Sequence, residues 1–269
     1  MTAPPPAPPP RLDSRKPAVS SLRKAANHPA ITAVSLADIE KPAFTVSILA
    51  MDGLEYTRAC LDSVLANSRE AEVLLTDNGS QDGTAAYFDS LAARFGFVRV
   101  RHNPKNLGFQ VPNQRALEQA RGEFFVMLNN DTRVCPGWLD LLSDPFRRDA
   151  RVALSGPHGS SCTILDNFHG TPGERFEYLE GSCLMGRTEL LREHGLFSEY
   201  IDFAYGEDSD LSLRMRELGY LLVRVDLRSK GFHHVGQVTS SVVPDVAGFQ
   251  SRNHASLLRR WSHYLKVRK

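Results

Sequence analysis

Three short clusters in this 269-residue chain carry the side chains best suited to chemistry: Asp77-Asn78-Gly79-Ser80, Asn129-Asn130-Asp131-Thr132 and Gly206-Glu207-Asp208-Ser209-Asp210. Asp131, flanked by the carboxamides of Asn129 and Asn130, offers hard oxygen donors of the kind that hold Mg²⁺ or Mn²⁺, and such an ion bridges diphosphate oxygens. The same residues also suit a plain Asx turn out of a strand. Asp77 is suited to accept a hydrogen bond from the N–H edge of a pyrimidine base, while Ser80 or Asp82 could cap a following helix. Glu207, Asp208 and Asp210 crowd three carboxylates into four residues. Like charges so close raise one another's pKa, as a general base requires, although helix N-termini also collect acids for dipole reasons alone. His233-His234 is a fourth feature. In an extended strand the two rings point to opposite sides, so one at most faces a site, and an isolated pair reads as packing.

The elements around these clusters alternate. Residues 44–49, 72–76, 97–101 and 124–128 are short β-rich runs, and residues 56–66, 84–95 and 111–120 have helical periodicity. The succession predicts a doubly wound, mostly parallel α/β sheet with helices on both faces. Ligands of such sheets lie beyond the carboxyl ends of the strands. Asp52, Asp77, Asn78, Asn129, Asn130 and Asp131 all fall there. The second half is less regular: residues 151–180 read as loops over the sheet, and residues 190–193, 210–218 and 255–265 as helical.

A net charge of +1 supplies no basic surface for nucleic acid. Residues 1–40, rich in Pro and Ala, read as a disordered tail, and residues 41–269 as one domain that ends in a C-terminal helix from about 251. The N-terminus lacks the apolar core of a secretory signal, and no window is apolar enough to span a membrane. Cys60, Cys135, Cys162 and Cys183 form no C-x-x-C pair, which suggests neither zinc nor disulfides and fits a reduced, cytoplasmic protein. The C-terminal LLRRWSHYLKVRK mixes Trp261, Tyr264 and Leu265 with five basic residues; it reads as a capping helix or as a peripheral contact with the inner membrane face.

Taken jointly, the segments FTVSILAMDGLEYTRACLDSVLANS, EVLLTDNGSQDGT, KNLGFQVPNQRALEQARGEFFVMLNNDTRV and EGSCLMGRTELLREHGLFSEYIDFAYGEDSDLSLRMRELGY resemble glycosyltransferase family 2, with its GT-A fold, in its rhamnosyltransferase-like branch. The resemblance runs from about residue 44 to 234, with an extension toward Trp261, and it implies a nucleotide-binding half at about 41–135 and an acceptor half at about 136–250. It implies an inverting transfer of sugar from a UDP- or dTDP-sugar, with Mn²⁺ or Mg²⁺, to a hydroxyl on a glycan, lipid-linked or other acceptor, in cell-surface polysaccharide or glycoconjugate synthesis. Asp77 and Asn78 would then meet the base, with Asp52 and Asn130 on the nucleotide. Asn106 and Gly108 would line its pocket. Asp131 with Asn129 and His233 or His234 would hold the metal. Gly181, Ser182 and Asp210 would lie near the sugars, and Asp208, beside Glu207, would be the base. Asn129 replaces the first acid of the Asp-x-Asp found in many members, and Ala50-Met51-Asp52 stands where relatives often have Thr-Tyr-Asn. A sugar nucleotidyltransferase, or a binding protein of the same fold without catalysis, are the competing readings. The former usually carries a Gly-rich phosphate loop, and AMDGLEYT supplies only Gly53. Acceptor choice is expected in residues 155–178 and 236–250.

Overall fold

The computed structural model describes residues 41–160, 178–235 and 245–266. The expected 1–40 tail, Cys162, most of the two acceptor loops and the last basic residues lie outside them. The first half alternates as anticipated: β1 (Phe44–Ala50), α1 (Leu54–Asn67), β2 (Ala71–Asp77), α2 (Thr84–Arg94), β3 (Val98–His102), α3 (Gln110–Gln119) and β4 (Phe124–Asn129). Then follow β5 (Thr132–Arg133), α4 (Trp138–Arg148), β6 (Val152–Gly156), β7 (Gly159–Ser160), β8 (Tyr178–Leu179), β9 (Cys183–Arg187), α5 (Thr188–His194), α6 (Glu207–Glu217), β10 (Leu221–Arg224), β11 (His233–His234) and α7 (Val246–Lys266).

A seven-stranded sheet runs β10-β6-β9-β4-β1-β2-β3. β1 is parallel to β2 and to β4, with Ala50 beside Asp77 and Leu49 beside Asn129, so these strands end along one edge. β9 is antiparallel to both β4 and β6. Side chains alternate between faces. Val46, Ile48, Val73, Leu75, Val126 and Leu128 pack under α1, α2 and α4, in a cluster with Leu61, Phe88 and Trp138. Leu74, Phe125, Met127 and Leu184 pack on the other side with Leu117, Leu191, Leu211 and Met215 of α3, α5 and α6. Burial on both faces is why these strands are continuous apolar runs rather than alternating ones.

The expectation of loops over 151–180 is corrected at its start. VALSG forms β6, buried at every residue, and its Ser155 hydroxyl is satisfied by donating to Leu142 O at 2.7 Å. α7 is longer than anticipated, beginning at Val246 rather than about 251.

Two further expectations change at α7. Trp261 is fully buried, and its Nε1 donates to Asp210 Oδ1 at 3.1 Å. An inward indole cannot anchor the chain at a lipid surface, and Arg260 stacks over its ring while facing Glu217 at 3.6 Å. Among the described residues no helix is long and apolar enough to cross a membrane. Asp210, expected at the sugars, is likewise buried: Oδ2 accepts from Ser198 Oγ at 2.6 Å and from Arg214 Nε at 2.9 Å, and Tyr200 donates its hydroxyl to Oδ1. Arg214 also donates to the carbonyls of His194, Gly195 and Leu196. Asp210 therefore ties α6, the 194–200 loop and α7 together, with no face left for a substrate.

At the opposite end of the sheet, Glu72 is 1% exposed. Its Oε1 accepts from Thr45 Oγ1 at 2.7 Å and Arg121 N at 2.6 Å, and its Oε2 from Arg99 and Arg121 at 2.8 Å each. Burial pushes this carboxyl up, but the hydrogen bonds from Thr45 and Arg121 and the charge of Arg99 outweigh it and hold the pKa below the usual range. A carboxyl depressed on folding stabilises above its unfolded pKa and ceases to do so as pH falls. Glu72→Ala is therefore expected to cost about 3 kcal/mol at pH 7, near the low end for a broken buried pair because both arginines reach solvent. The gap to the parent chain should narrow in denaturant melts near pH 3; a gap independent of pH would remove the charge from the account.

Candidate active site

The ends of β1, β2 and β3 build the first corner. Asp77 closes β2 and is 4% exposed. Its Oδ1 accepts the Ser80 N–H at 2.9 Å, and its Oδ2 lies 3.3 Å from His102 Nδ1. The other nitrogen of His102 lies 2.9 Å from Asp89 Oδ1, and the hydrogen bond to Asp89, followed by that to Asp77, raises its pKa. Asn78 is buried and organises the next loop: its Oδ1 accepts from Asn103 Nδ2 and Leu107 N, and its Nδ2 donates to Asn106 Oδ1 at 2.9 Å and Gly108 O at 3.0 Å. Asp52, at φ 55°, accepts the Gln81 N–H at 2.7 Å, and its own N–H donates to Ser80 Oγ. Asp82 caps across elements, accepting from Leu54 N at the start of α1 and from Thr84 at the start of α2.

Asp131 and the histidines make the second corner. β11 pairs antiparallel with β5, setting His234 opposite Thr132, and Val235 N donates to Asp131 O at 3.0 Å. His234 Nε2 lies 3.2 Å from Asp131 Oδ1, while His233 points to solvent. His158, after β6, has its Nδ1 3.2 Å from Ser182 Oγ, its ring centre 6.2 Å from that of His234, and a pKa lowered by burial. Asn129 is half-buried at the end of β4. Asn130 turns inward, donating Nδ2 to Thr57 Oγ1 of α1 at 2.8 Å, so its side chain fixes the turn instead of contacting a nucleotide. A carboxylate oxygen beside an imidazole nitrogen fits a divalent cation of the Mn²⁺ or Mg²⁺ type. Among the described residues no group of three or more His, Cys, Asp or Glu converges on one point. Such an ion would therefore draw its other ligands from phosphate oxygens and water, as Mg²⁺ commonly does.

The third corner opens α6. Gly206 adopts φ 98°, and a Cβ there would come within 3.0 Å of Leu257 Cδ1, so only glycine lets α7 approach. Asp208 Oδ2 accepts the Gly181 N–H at 3.0 Å, and Oδ1 accepts the Ser209 N–H at 2.7 Å. Burial raises the Asp208 pKa against those hydrogen bonds. Burial and the neighbouring Asp208 push Glu207 up to about 8. The preceding loop is strained, with Phe203 at φ 48° and Tyr205 at φ 71°. It is held by Asn253 of α7, 2% exposed, whose Nδ2 donates to the carbonyls of Asp202, Ala204 and Tyr205 at 2.7–2.9 Å while its Oδ1 accepts the Asp202 N–H.

Hydrogen bonds join the corners. Asn129 N donates to Ser182 O at 3.0 Å, and the adjacent Gly181 reaches Asp208. On the other side Asn78 holds Gly108, whose φ of 76° lets the chain pass Phe203; a Cβ would lie 2.6 Å from Phe203 O, to which Phe109 N donates. Asp77, Asp131 and Asp208 thus stand on one connected rim at the carboxyl edge of the sheet. Sequence reasoning passed over His102, His158 and Asn253. His102 closes β3, so the rule that found Asp77 could have found it; His158 follows β6, a strand the sequence does not announce, and nothing local marks Asn253.

A family model described as glycosyl transferase family 2 matches residues 45–195, more than half of the chain. The N-acetylglucosaminyl-diphospho-decaprenol L-rhamnosyltransferase of Mycobacterium tuberculosis is 29% identical over 237 residues, covering 71% of this chain and 75% of its own. Among solved structures, GalNAc-T7 with UDP, GalNAc and Mn²⁺ is similar at TM-score 0.60 and 17% identity, covering 71% of this chain and 43% of that one. A mannosyltransferase from Pyrobaculum calidifontis in complex with GDP-Man and Mn²⁺ is similar at TM-score 0.54 and 18% identity, over 69% of this chain and 55% of the other. The chain therefore spans about half the length of these two structures, and at such identities they speak for the GT-A fold alone. With the family model covering both the ends of β1 to β4 and the β4–β9 junction, the chain belongs to glycosyl transferase family 2 and is rhamnosyltransferase-like.

Proposed function

We propose that this protein is an inverting, metal-dependent glycosyltransferase that moves a sugar from a UDP- or dTDP-sugar to a hydroxyl of a lipid-linked or other glycan acceptor. The observation that carries this reading is the hydrogen-bonded line from Asn129 through Ser182 and Gly181 to Asp208, which sets a cation corner and a desolvated carboxylate on either side of one short stretch of backbone. The mycobacterial relative, named for a decaprenol-linked acceptor, supports the acceptor class. The three described cysteines, all free and buried, fit a reducing compartment such as the cytoplasm.

In this reading Asp77 meets the base, and Asn78 holds the 103–108 loop in place to line the nucleotide pocket. Asp131 and His234 hold the ion, which when bound would neutralise charge on the departing diphosphate. Asp208 takes the proton of the acceptor hydroxyl as that oxygen bonds to the anomeric carbon and the bond to the diphosphate oxygen breaks. Burial and the neighbouring Asp208 push Glu207 up to about 8, which favours its protonated form near neutral pH, and Asp208 serves as the base.

Asp208→Asn should retain nucleotide-sugar binding while transfer falls by about 10²–10⁴-fold; near-normal turnover, read as nucleotide diphosphate released with Mn²⁺ present, would remove Asp208 from this role. Asp131→Ala should abolish the Mn²⁺-dependent gain in UDP or dTDP affinity measured by titration calorimetry, and an unchanged gain would displace the ion from this corner. His102 positions Asp77, and its pKa is raised on folding, so its contribution is complete below the ordinary histidine value and is lost as pH rises through the raised one. The stability difference between the parent chain and His102→Gln should accordingly shrink over the interval above about pH 6.5, the ordinary histidine value. A difference that grows over that interval would contradict the pairing.

A further inference from the structure

Behind the opening of α6 lies a cavity of about 260 Å³ that the strand-end rim does not account for. Tyr178 and Tyr205 line it together with Glu207 and Asp208, and α7 closes it with Gln250 and His254. We propose that this cavity binds one uncharged sugar ring of the acceptor, and that Gln250 and His254 on α7 select it. The inference rests on Asp208 being the base, and deepens that reading by naming the group presented to it.

Four observations support it. Glu207 Oε2 is buried with no hydrogen-bond partner among the described residues. A buried polar atom left without a partner costs about 1–3 kcal/mol, which a hydroxyl of a bound ring would recover. The lining includes two carboxyls and neither lysine nor arginine, so a carboxylate or phosphate entering it would be desolvated beside like charge with no compensating cation. The two tyrosines give rings and hydroxyls, the mixture of apolar area and directed polar groups that a pyranose presents in return. The volume falls below the ~300–1,000 Å³ of sites that enclose drug-sized ligands, which fits one ring and not an oligosaccharide.

The position fits the reaction. Asp208 borders the cavity and also accepts from Gly181 beside β9, so a hydroxyl at the cavity mouth is within reach of the proposed base. Acceptor recognition would then reside partly on a helix, whose Asn253 side chain already fixes the loop leading into Glu207. Gln250 and His254 lie four residues apart, one turn along the same face of α7.

The test uses the full chain and two soluble probes, n-octyl β-D-glucopyranoside and n-octyl β-D-glucuronide, each titrated with UDP or dTDP and Mn²⁺ present. Saturation-transfer NMR reads the sugar, and calorimetry reads the nucleotide. The glucoside should bind the parent chain about tenfold more tightly than the glucuronide, given the cost of burying an unpaired charge. Gln250→Ala and His254→Ala should each weaken the glucoside about fivefold, the loss of roughly one hydrogen bond, with nucleotide affinity unchanged. Unchanged nucleotide affinity also shows that each variant is folded. Equal binding of both glycosides, no glucoside binding to the parent chain, or indifference of that binding to both substitutions would overturn the assignment. Absence of nucleotide binding by the parent chain would instead sink the proposed function, so the two failures are distinguishable.

Discussion

The site depends on the register between β4 and β9. β4 is parallel to β1 on one side and antiparallel to β9 on the other, with Leu128 opposite Cys183. That alignment sets Ser182 against Asn129 at the sheet edge and leaves Gly181 to donate to Asp208. Because side chains alternate, a slip of one residue would turn Cys183 and Met185 out of one core and Leu184 out of the other. Burial on both faces therefore fixes the register, and the register fixes how the two halves meet.

Strain enters at the loop before α6. Left-handed Phe203 and Tyr205 cost on the order of 1–3 kcal/mol each. The Asn253 carboxamide shares its two N–H hydrogens among three carbonyls and accepts the Asp202 N–H, which at about 1 kcal/mol per hydrogen bond offsets about 3 kcal/mol of that strain. The Asp210 cluster, with Arg214, Ser198, Tyr200 and Trp261, secures the same helix from below. Glu207 and Asp208 are thereby carried on a helix end held from both sides, as the base of the proposed reaction would require.

The sequence was most legible where local pattern and tertiary role coincide. β1, β2 and β4 are apolar runs that end in acid or amide residues, so both the strands and the position of Asp77 and Asp131 could be read. β6 was hidden because VALSG is short and borders a Gly-, Pro- and His-rich stretch, and what makes it a strand is its place between β9 and β10. Asp210 shares a motif with Asp208 yet points the other way around the helix, and two residues of spacing do not reveal which faces a core. Trp261 looked amphipathic beside its arginines because the partner that buries its N–H, Asp210, is 51 residues away. Asn253 works entirely through backbone groups, the N–H of Asp202 and three carbonyls, contacts with no counterpart in residue type.

The departure at Asn129 has a physical corollary. Where many relatives carry two acids, this chain places a carboxamide at the strand end and one carboxylate at Asp131, backed by His234. A cation held by a single formal negative charge and a neutral imidazole keeps much of its hydration, so the diphosphate becomes its dominant anionic partner. In the proposed reading, binding of ion and donor would then be linked, each raising the affinity for the other by the same factor. The geometry that would couple them lies at the strand ends, where β1, β2 and β4 set Asp77 and Asp131 along one edge of a single sheet.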